Sequence, residues 1–161
     1  MLVCALVWAS VLLGKPPLER VSGVELMEAI SKLGKKNMFV GGKTGAAEKT
    51  AERFGGVGLT EPDVDEINRI EPDCLFVGLG APKQEKWAHQ QLRSFGGQVK
   101  VVMVVGGALD QIADHTLRPP RWLDEIGLGW LYRLIRQPSR LGRQLRLLRF
   151  GWMVLREKLF S

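Results

Sequence analysis

Cysteine, histidine and tyrosine are scarce in this chain, at two, two and one among 161 residues. Cys4 and Cys74 lie in apolar runs with no metal-ligand spacing. That argues against a zinc site or a disulfide framework, and the pair reads as buried free thiols of a reducing compartment. His89 and His115 carry no partner pattern and read as ordinary surface or core residues. A long hydrophobic run is missing too. The opening MLVCALVWASVLLG falls short of the roughly 20 apolar residues that span a bilayer, and it has neither the basic flank nor the cleavage site of a secretory signal. It reads as a buried helix whose beginning is missing. Internal repeats and low-complexity tracts are absent as well.

What is present is an ordinary globular composition, 45% hydrophobic and 25% charged, in a chain long enough for one domain with a real core. The net charge of +6 is unevenly placed. Residues 118–161 hold ten Lys/Arg against three Asp/Glu, whereas residues 1–117 hold thirteen against fourteen. A basic segment of that kind seeks phosphates, whether on a nucleic acid, an anionic membrane surface or a phosphorylated substrate.

Along the chain, short buried runs alternate with helical segments. Ser22 and Glu25 have the spacing of a capping box for a helix over VELMEAISKLGKK. NMFV reads as a strand, AAEKTAERF as a helix, PDVDEINRI as another, and DCLFVGLG as a second strand. PKQEKWAHQQLRSF, with Pro82 in its first turn, is the next helix, and KVVMVV is the most strand-like run. This alternation predicts an α/β fold with a parallel, doubly wound sheet, in which three strands are legible. After Ala113 no strand signal remains. Leu141, Leu145, Leu148, Trp152, Leu155 and Leu159 form one helical stripe among arginines. The organisation expected is a Rossmann-like core over 1–117 and a helical, arginine-rich appendage over 118–161.

Glycines stand at all three strand ends: Gly41-Gly42, Gly78-x-Gly80 and Gly106-Gly107. In an open parallel sheet ligands bind outside the carboxyl ends of the strands. Glycine there lets backbone approach a phosphate beside a helix N-terminus, so the three turns together point to a shared pocket. Two nucleotide-binding patterns fail. Gly42-Lys43-Thr44 lacks the P-loop's first glycine, which would fall on Asn37, and GLGAPKQ has Lys83 where a dinucleotide fingerprint needs its last glycine. Asp63-Val64-Asp65 has the D-x-D spacing of metal-dependent sugar-nucleotide enzymes, but it sits where acids favour a helix start. Asp110, just past KVVMVVGG, suits either a ribose or sugar hydroxyl or a capped helix start. Arg133, Arg136, Arg140 and Arg143 share a face on continuous helix, and planar guanidinium suits a diphosphate. A solvated face is the plainer alternative.

The stretches LVWASVLLGKPPLERVSGVELM, FVGGKTGAAEKTAERF, EINRIEPDCLFVGLGAPKQEKW, VVGGALDQIA, LRPPRW and GWLYRLIRQPSRLGRQ resemble, in order and over most of the chain, the bacterial WecG/TagA/CpsF glycosyltransferases. GLGAPKQE and WLYRLIRQPSR are the most specific of them. The resemblance implies a Rossmann-like core with a helical appendage. It implies metal-independent transfer, with no other cofactor, of an N-acetylmannosamine-type sugar from a UDP donor. The acceptor would be an undecaprenyl-diphosphate-linked N-acetylglucosamine at the cytoplasmic face of the cell membrane. Products of such transfer feed teichoic acid, common antigen or exopolysaccharide. The protein would sit peripherally on that anionic surface, and self-association into a homo-oligomer is left open. By the same resemblance the glycine turns and Gln84 with Asp110 fall at the donor site, and Arg133, Arg140 and Arg143 at the acceptor diphosphate. Four departures stand against it, one being Gly129 where the family usually has a glutamate before W-L-Y-R. The family's T-x-N segment is absent, and its D-G motif places the aspartate base on Leu2. A strand and loop expected between Phe54 and Glu61 are reduced to GGVGLT. An incomplete or decayed member is therefore expected, and binding without turnover is the alternative. Nucleic-acid binding has the tail's charge in its favour but no motif, so no nucleic-acid partner is expected.

Overall fold

The computed structural model describes residues 13–14, 21–95, 97–114, 118–120, 122–123, 126, 128–136 and 151–157. The molecule divides into two units, residues 23–118 and residues 1–22 with 119–161.

In the first unit NMFVG forms β1 (Asn37–Gly41) and CLFVG forms β3 (Cys74–Gly78), each buried along its whole length. Continuous apolar runs are what central strands of a parallel sheet require, because both faces are covered. The two pair in parallel, Phe39 opposite Phe76 and Gly41 opposite Gly78. β4 (Val101–Val104) lies beside β3 and β2 (Val57–Leu59) beside β1, both parallel, giving the order β2-β1-β3-β4. The α/β expectation holds, with one correction. GGVGLT contains a strand that the sequence reading took as lost. Three residues with a glycine at their centre show no period, and it is pairing with Met38, Phe39 and Val40 that makes Val57–Leu59 a strand. KVVMVV, the strongest strand signal, forms an edge of the described sheet. Its burial is correspondingly partial, with Val101 and Val104 39% and 38% exposed.

The helices between the strands are α1 (Gly23–Ser31), α2 (Ala46–Phe54), α3 (Val64–Ile70), α4 (Lys83–Gln91) and α5 (Ala108–Ala113). α1 stops short of the predicted Lys36. The Asn37 amide donates to the Ser31 carbonyl at 2.9 Å, and Gly34 then turns the chain at φ 68°. α3 begins at Asp63, whose Oδ1 accepts from the backbone N–H groups of Asp65 and Glu66 at 3.0 and 3.1 Å. The D-x-D pair is thus a capped helix start. α4 starts directly after Pro82, which follows a cis Ala81–Pro82 peptide.

Successive strand residues face opposite sides of a sheet, and two apolar layers result. Phe39, Cys74 and Phe76 pack with Val24 and Met27 of α1, Ala47 and Ala51 of α2, and Leu109 and Ile112 of α5. Met38, Val40, Leu75 and Val77 pack with Ile67 of α3 and with Phe95 and Trp87. The Phe39 and Phe76 rings stack 5.1 Å apart at the centre of the first layer. Cys74 is a free, buried thiol, as expected, and desolvation holds its pKa above the ordinary cysteine value. Cys4 lies outside the described residues. At the amino edge of the sheet, Asp73 accepts from Lys36 N at 3.1 Å and from Lys100 Nζ at 2.5 Å, joining the approaches to β1, β3 and β4.

In the second unit, GWLYRLIR forms α6 (Gly129–Arg136), and residues 151–157 are helical. Leu131 and Ile135 on α6 are exposed, as are Trp152 and Leu155 of the expected stripe. The remaining stripe leucines (141, 145, 148 and 159) lie outside the described residues. The guanidinium of Arg136 stands over the Tyr132 ring, 5.5 Å from its centroid. Among the described residues no helix is long and apolar enough to cross a membrane.

Candidate functional site

The strand order reverses between β1 and β3. β1 is followed in the chain by β2 on one side, and the chain then crosses to place β3 on the other. Helices leaving a parallel sheet in opposite directions open a crevice at the carboxyl ends of those two strands. Gly41-Gly42 and Gly78 stand there, with the β4 turn Gly106-Gly107 next to them.

Three of these glycines are required by close approach, the first being Gly41, at φ 93°, whose Cβ would come within 2.8 Å of Leu79 Cδ2 and 3.0 Å of the Gly78 carbonyl carbon. A Cβ on Gly78 would come within 2.7 Å of Leu109 Cδ1 and 3.0 Å of the Gly106 carbonyl oxygen. Gly42, at φ 85°, would place a Cβ 2.9 Å from that of Ala46 and 3.2 Å from Asp110 Oδ1. The β1, β3 and β4 turns are therefore in contact, as a shared pocket demands.

Their backbone N–H groups are largely engaged within the protein. Gly42 N donates to the Gly78 carbonyl at 3.0 Å, and Lys43 N to Asp110 Oδ1 at 2.7 Å. Gly45 N donates to Thr60 Oγ1 at 3.3 Å, and that hydroxyl donates to Glu48 Oε1 at 2.9 Å. Gly80 N and Gly106 N both donate to Gln84 Oε1, at 3.2 and 3.0 Å. The Gly107 carbonyl accepts from the Gln111 amide at 2.9 Å. The expected backbone cradle is thus braced by side chains from the following helices. From the first turn of α5, Asp110 holds the β1–α2 turn.

A cleft of about 130 Å³ lies between the β1–α2 turn and α5, lined by Lys43, Thr44, Lys49, Asp110 and Asp114. Two ammonium and two carboxylate side chains beside a helix N-terminus suit a ligand carrying both phosphate and hydroxyls. Sequence reasoning missed Lys43 and Lys49, whose prominence depends on that cleft. It also missed the Thr60–Glu48 relay. Glu48 stands three residues after the α2 N-cap Gly45, the capping-box position, but its partner follows a strand that was not recognised. Among the described residues no group of three or more His, Cys, Asp or Glu could hold a metal ion.

Of the appendage residues, Arg133 lies on α6. Arg140, Arg143 and Leu2 lie outside the described residues, as does His115, while His89 is exposed on α4.

Fold and crevice together define an open, doubly wound α/β protein of the kind that takes its ligand at a topological switch point. The chain belongs to the glycosyl transferase WecG/TagA/CpsF family, whose model matches residues 4–161. It is similar to the N-acetylglucosaminyldiphosphoundecaprenol N-acetyl-beta-D-mannosaminyltransferase of Staphylococcus aureus (strain MRSA252), at 31% identity over 153 residues. That match covers 84% of this chain and 59% of the relative. The enzyme of the same name from Bacillus subtilis (strain 168) is 37% identical over 93 residues, 58% of this chain and 36% of the relative. The chain thus spans about three-fifths of the length of the first of these relatives.

Proposed function

We propose that this chain forms the donor-binding part of a hexosyltransferase that moves an N-acetylmannosamine-type sugar from a UDP donor to a polyprenyl-diphosphate-linked N-acetylglucosamine. The observations that carry the reading are the approach of the glycine turns after β1, β3 and β4 at the switch point and the neighbouring cleft lined by Lys43, Lys49 and Asp110. The relatives' names supply the sugar and the acceptor.

In this reading the glycines leave the edge bare enough for the donor to lie against backbone. Lys43 and Lys49 neutralise phosphate, and Asp110 meets a donor hydroxyl while bracing the turn. Arg133, with Arg140 and Arg143 further along, takes the acceptor diphosphate or the charge that grows on departing UDP. Cations placed for that charge stabilise the transition state more than the ground state. The excess of basic residues in 118–161 holds the protein peripherally on the anionic cytoplasmic leaflet.

The test is single-turnover transfer from UDP-N-acetylmannosamine to a lipid-linked acceptor, alongside UDP titration. Arg133→Ala is expected to slow the chemical step by about 10²-fold while changing UDP affinity little. Equal loss in both would place Arg133 in ground-state binding instead. Leu2, the position on which the resemblance places the family's aspartate base, motivates a second reading in which the chain binds the donor without turning it over. Saturable UDP binding with no detectable transfer by the folded chain is the outcome that selects it.

A further inference from the structure

Gln84 lies in the first turn of α4 and is only 5% exposed. Its Oε1 accepts from two backbone donors in different loops, Gly80 N at 3.2 Å and Gly106 N at 3.0 Å. Its Nε2 donates to Glu85 Oε1 at 2.9 Å. A carbonyl oxygen offers two lone pairs, so this acceptor is fully occupied. The partners fix the amide's orientation, because two N–H groups need the oxygen and a carboxylate needs the nitrogen. Gly80 and Gly106 have positive φ, 79° and 55°, conformations that side chains rarely adopt. One side chain therefore ties the turn that ends β3 to the turn that ends β4.

We propose that Gln84 is a positioning residue. It sets the spacing of the β3 and β4 turns and thereby the shape of the crevice, and it acts on the donor through those turns without contacting it. The effect on the donor rests on the donor-site reading above; the brace itself does not. Gly80 N and Gly106 N, held inward by this oxygen, are withdrawn from phosphate binding, and that task falls to side chains such as Lys43 and Lys49 at the neighbouring turn.

The experiment combines amide hydrogen exchange at Gly80 and Gly106 in the full chain with UDP titration by calorimetry. Gln84→Met keeps the length and removes the acceptor. Exchange at both glycines is expected to speed up by about tenfold, the effect of leaving two donors without their partner, and UDP affinity to fall about fivefold at temperatures where the variant is fully folded. The double exchange Gln84→Glu with Glu85→Gln keeps all three hydrogen bonds with donor and acceptor traded between neighbours. It is expected to restore slow exchange and most of the UDP affinity. Unchanged exchange in Gln84→Met would overturn the brace. Slow exchange in the double variant with UDP affinity still as weak as in Gln84→Met would overturn action through the turns, since the Gln84 amide would then be touching the donor. If Gln84→Met does not fold, the double variant against wild type decides on the same two readouts. A wild-type chain that binds no UDP overturns the donor-site reading, and the exchange rates still decide the brace.

Discussion

At the residue scale, Asp110 and Asp73 show how one carboxylate stabilises a junction at each edge of the sheet. Asp110→Ala leaves Lys43 N without its acceptor and is expected to lower unfolding free energy by about 1–2 kcal/mol in urea titration, whereas Asp110→Asn, which keeps an oxygen, should lose less. An equal loss for both would show that charge, not the hydrogen bond, matters there. Asp73 works at the amino edge. The Lys100 ammonium, then the Lys36 N–H, hold its carboxyl below the ordinary range. A folded-state pKa below the unfolded one means that its contribution is present at neutral pH and is lost as pH falls through the acid range below about 4. The urea midpoint of Asp73→Asn should lie below wild type at pH 7, and the gap should narrow as pH falls below about 4. A gap that persists at acid pH would rule this assignment out. Asp110 was legible as a ligand-edge carboxylate because it follows a strand and two glycines. Its bond to Lys43 was not, since it joins residues 67 positions apart.

At the element scale, periodicity carried most of what was readable. β1, β3, α2 and α3 stand within a residue or two of their sequence bounds, because each is a clean apolar run or helical stripe ended by glycine or an acidic cap. β2 was missed because its identity comes from pairing with β1, a tertiary effect that propensity does not encode. KVVMVV, the most strand-like run, does form a strand, but its place at the end of the described order was not legible, because position in the sheet depends on the order of crossovers. The stacked Phe39 and Phe76 predict a large cost of truncation. Phe76→Ala should destabilise by about 3–5 kcal/mol, measured by urea unfolding. Val104→Lys on the exposed edge should cost within about 0.5 kcal/mol. A Val104→Lys penalty as large as that of Phe76→Ala would mean that the edge is covered by a partner strand in solution.

At the scale of the whole molecule, positive charge is unevenly placed. The first 117 residues are almost neutral and the remaining 44 carry the positive excess, so membrane affinity should follow the tail. Flotation with vesicles containing anionic lipid should retain the chain at low salt and release it as salt rises past about 0.2 M, and neutral vesicles should fail to retain it. Retention that ignores both lipid charge and salt would make the apolar stripe, not the arginines, responsible. Which arginines act could be read only from the family resemblance, since side-chain spacing on a helix names a face and no ligand. The donor crevice is the claim on which the rest depends, and UDP titration of the full chain, followed residue by residue in amide NMR spectra, addresses it most directly. Saturable binding with a dissociation constant of roughly 1 μM to 1 mM is expected, with the perturbed amides gathered at residues 42–45, 78–80 and 106–110. A folded chain that binds no UDP, or one whose shifts gather instead at the amino edge around Lys36, Asp73 and Lys100, would contradict it.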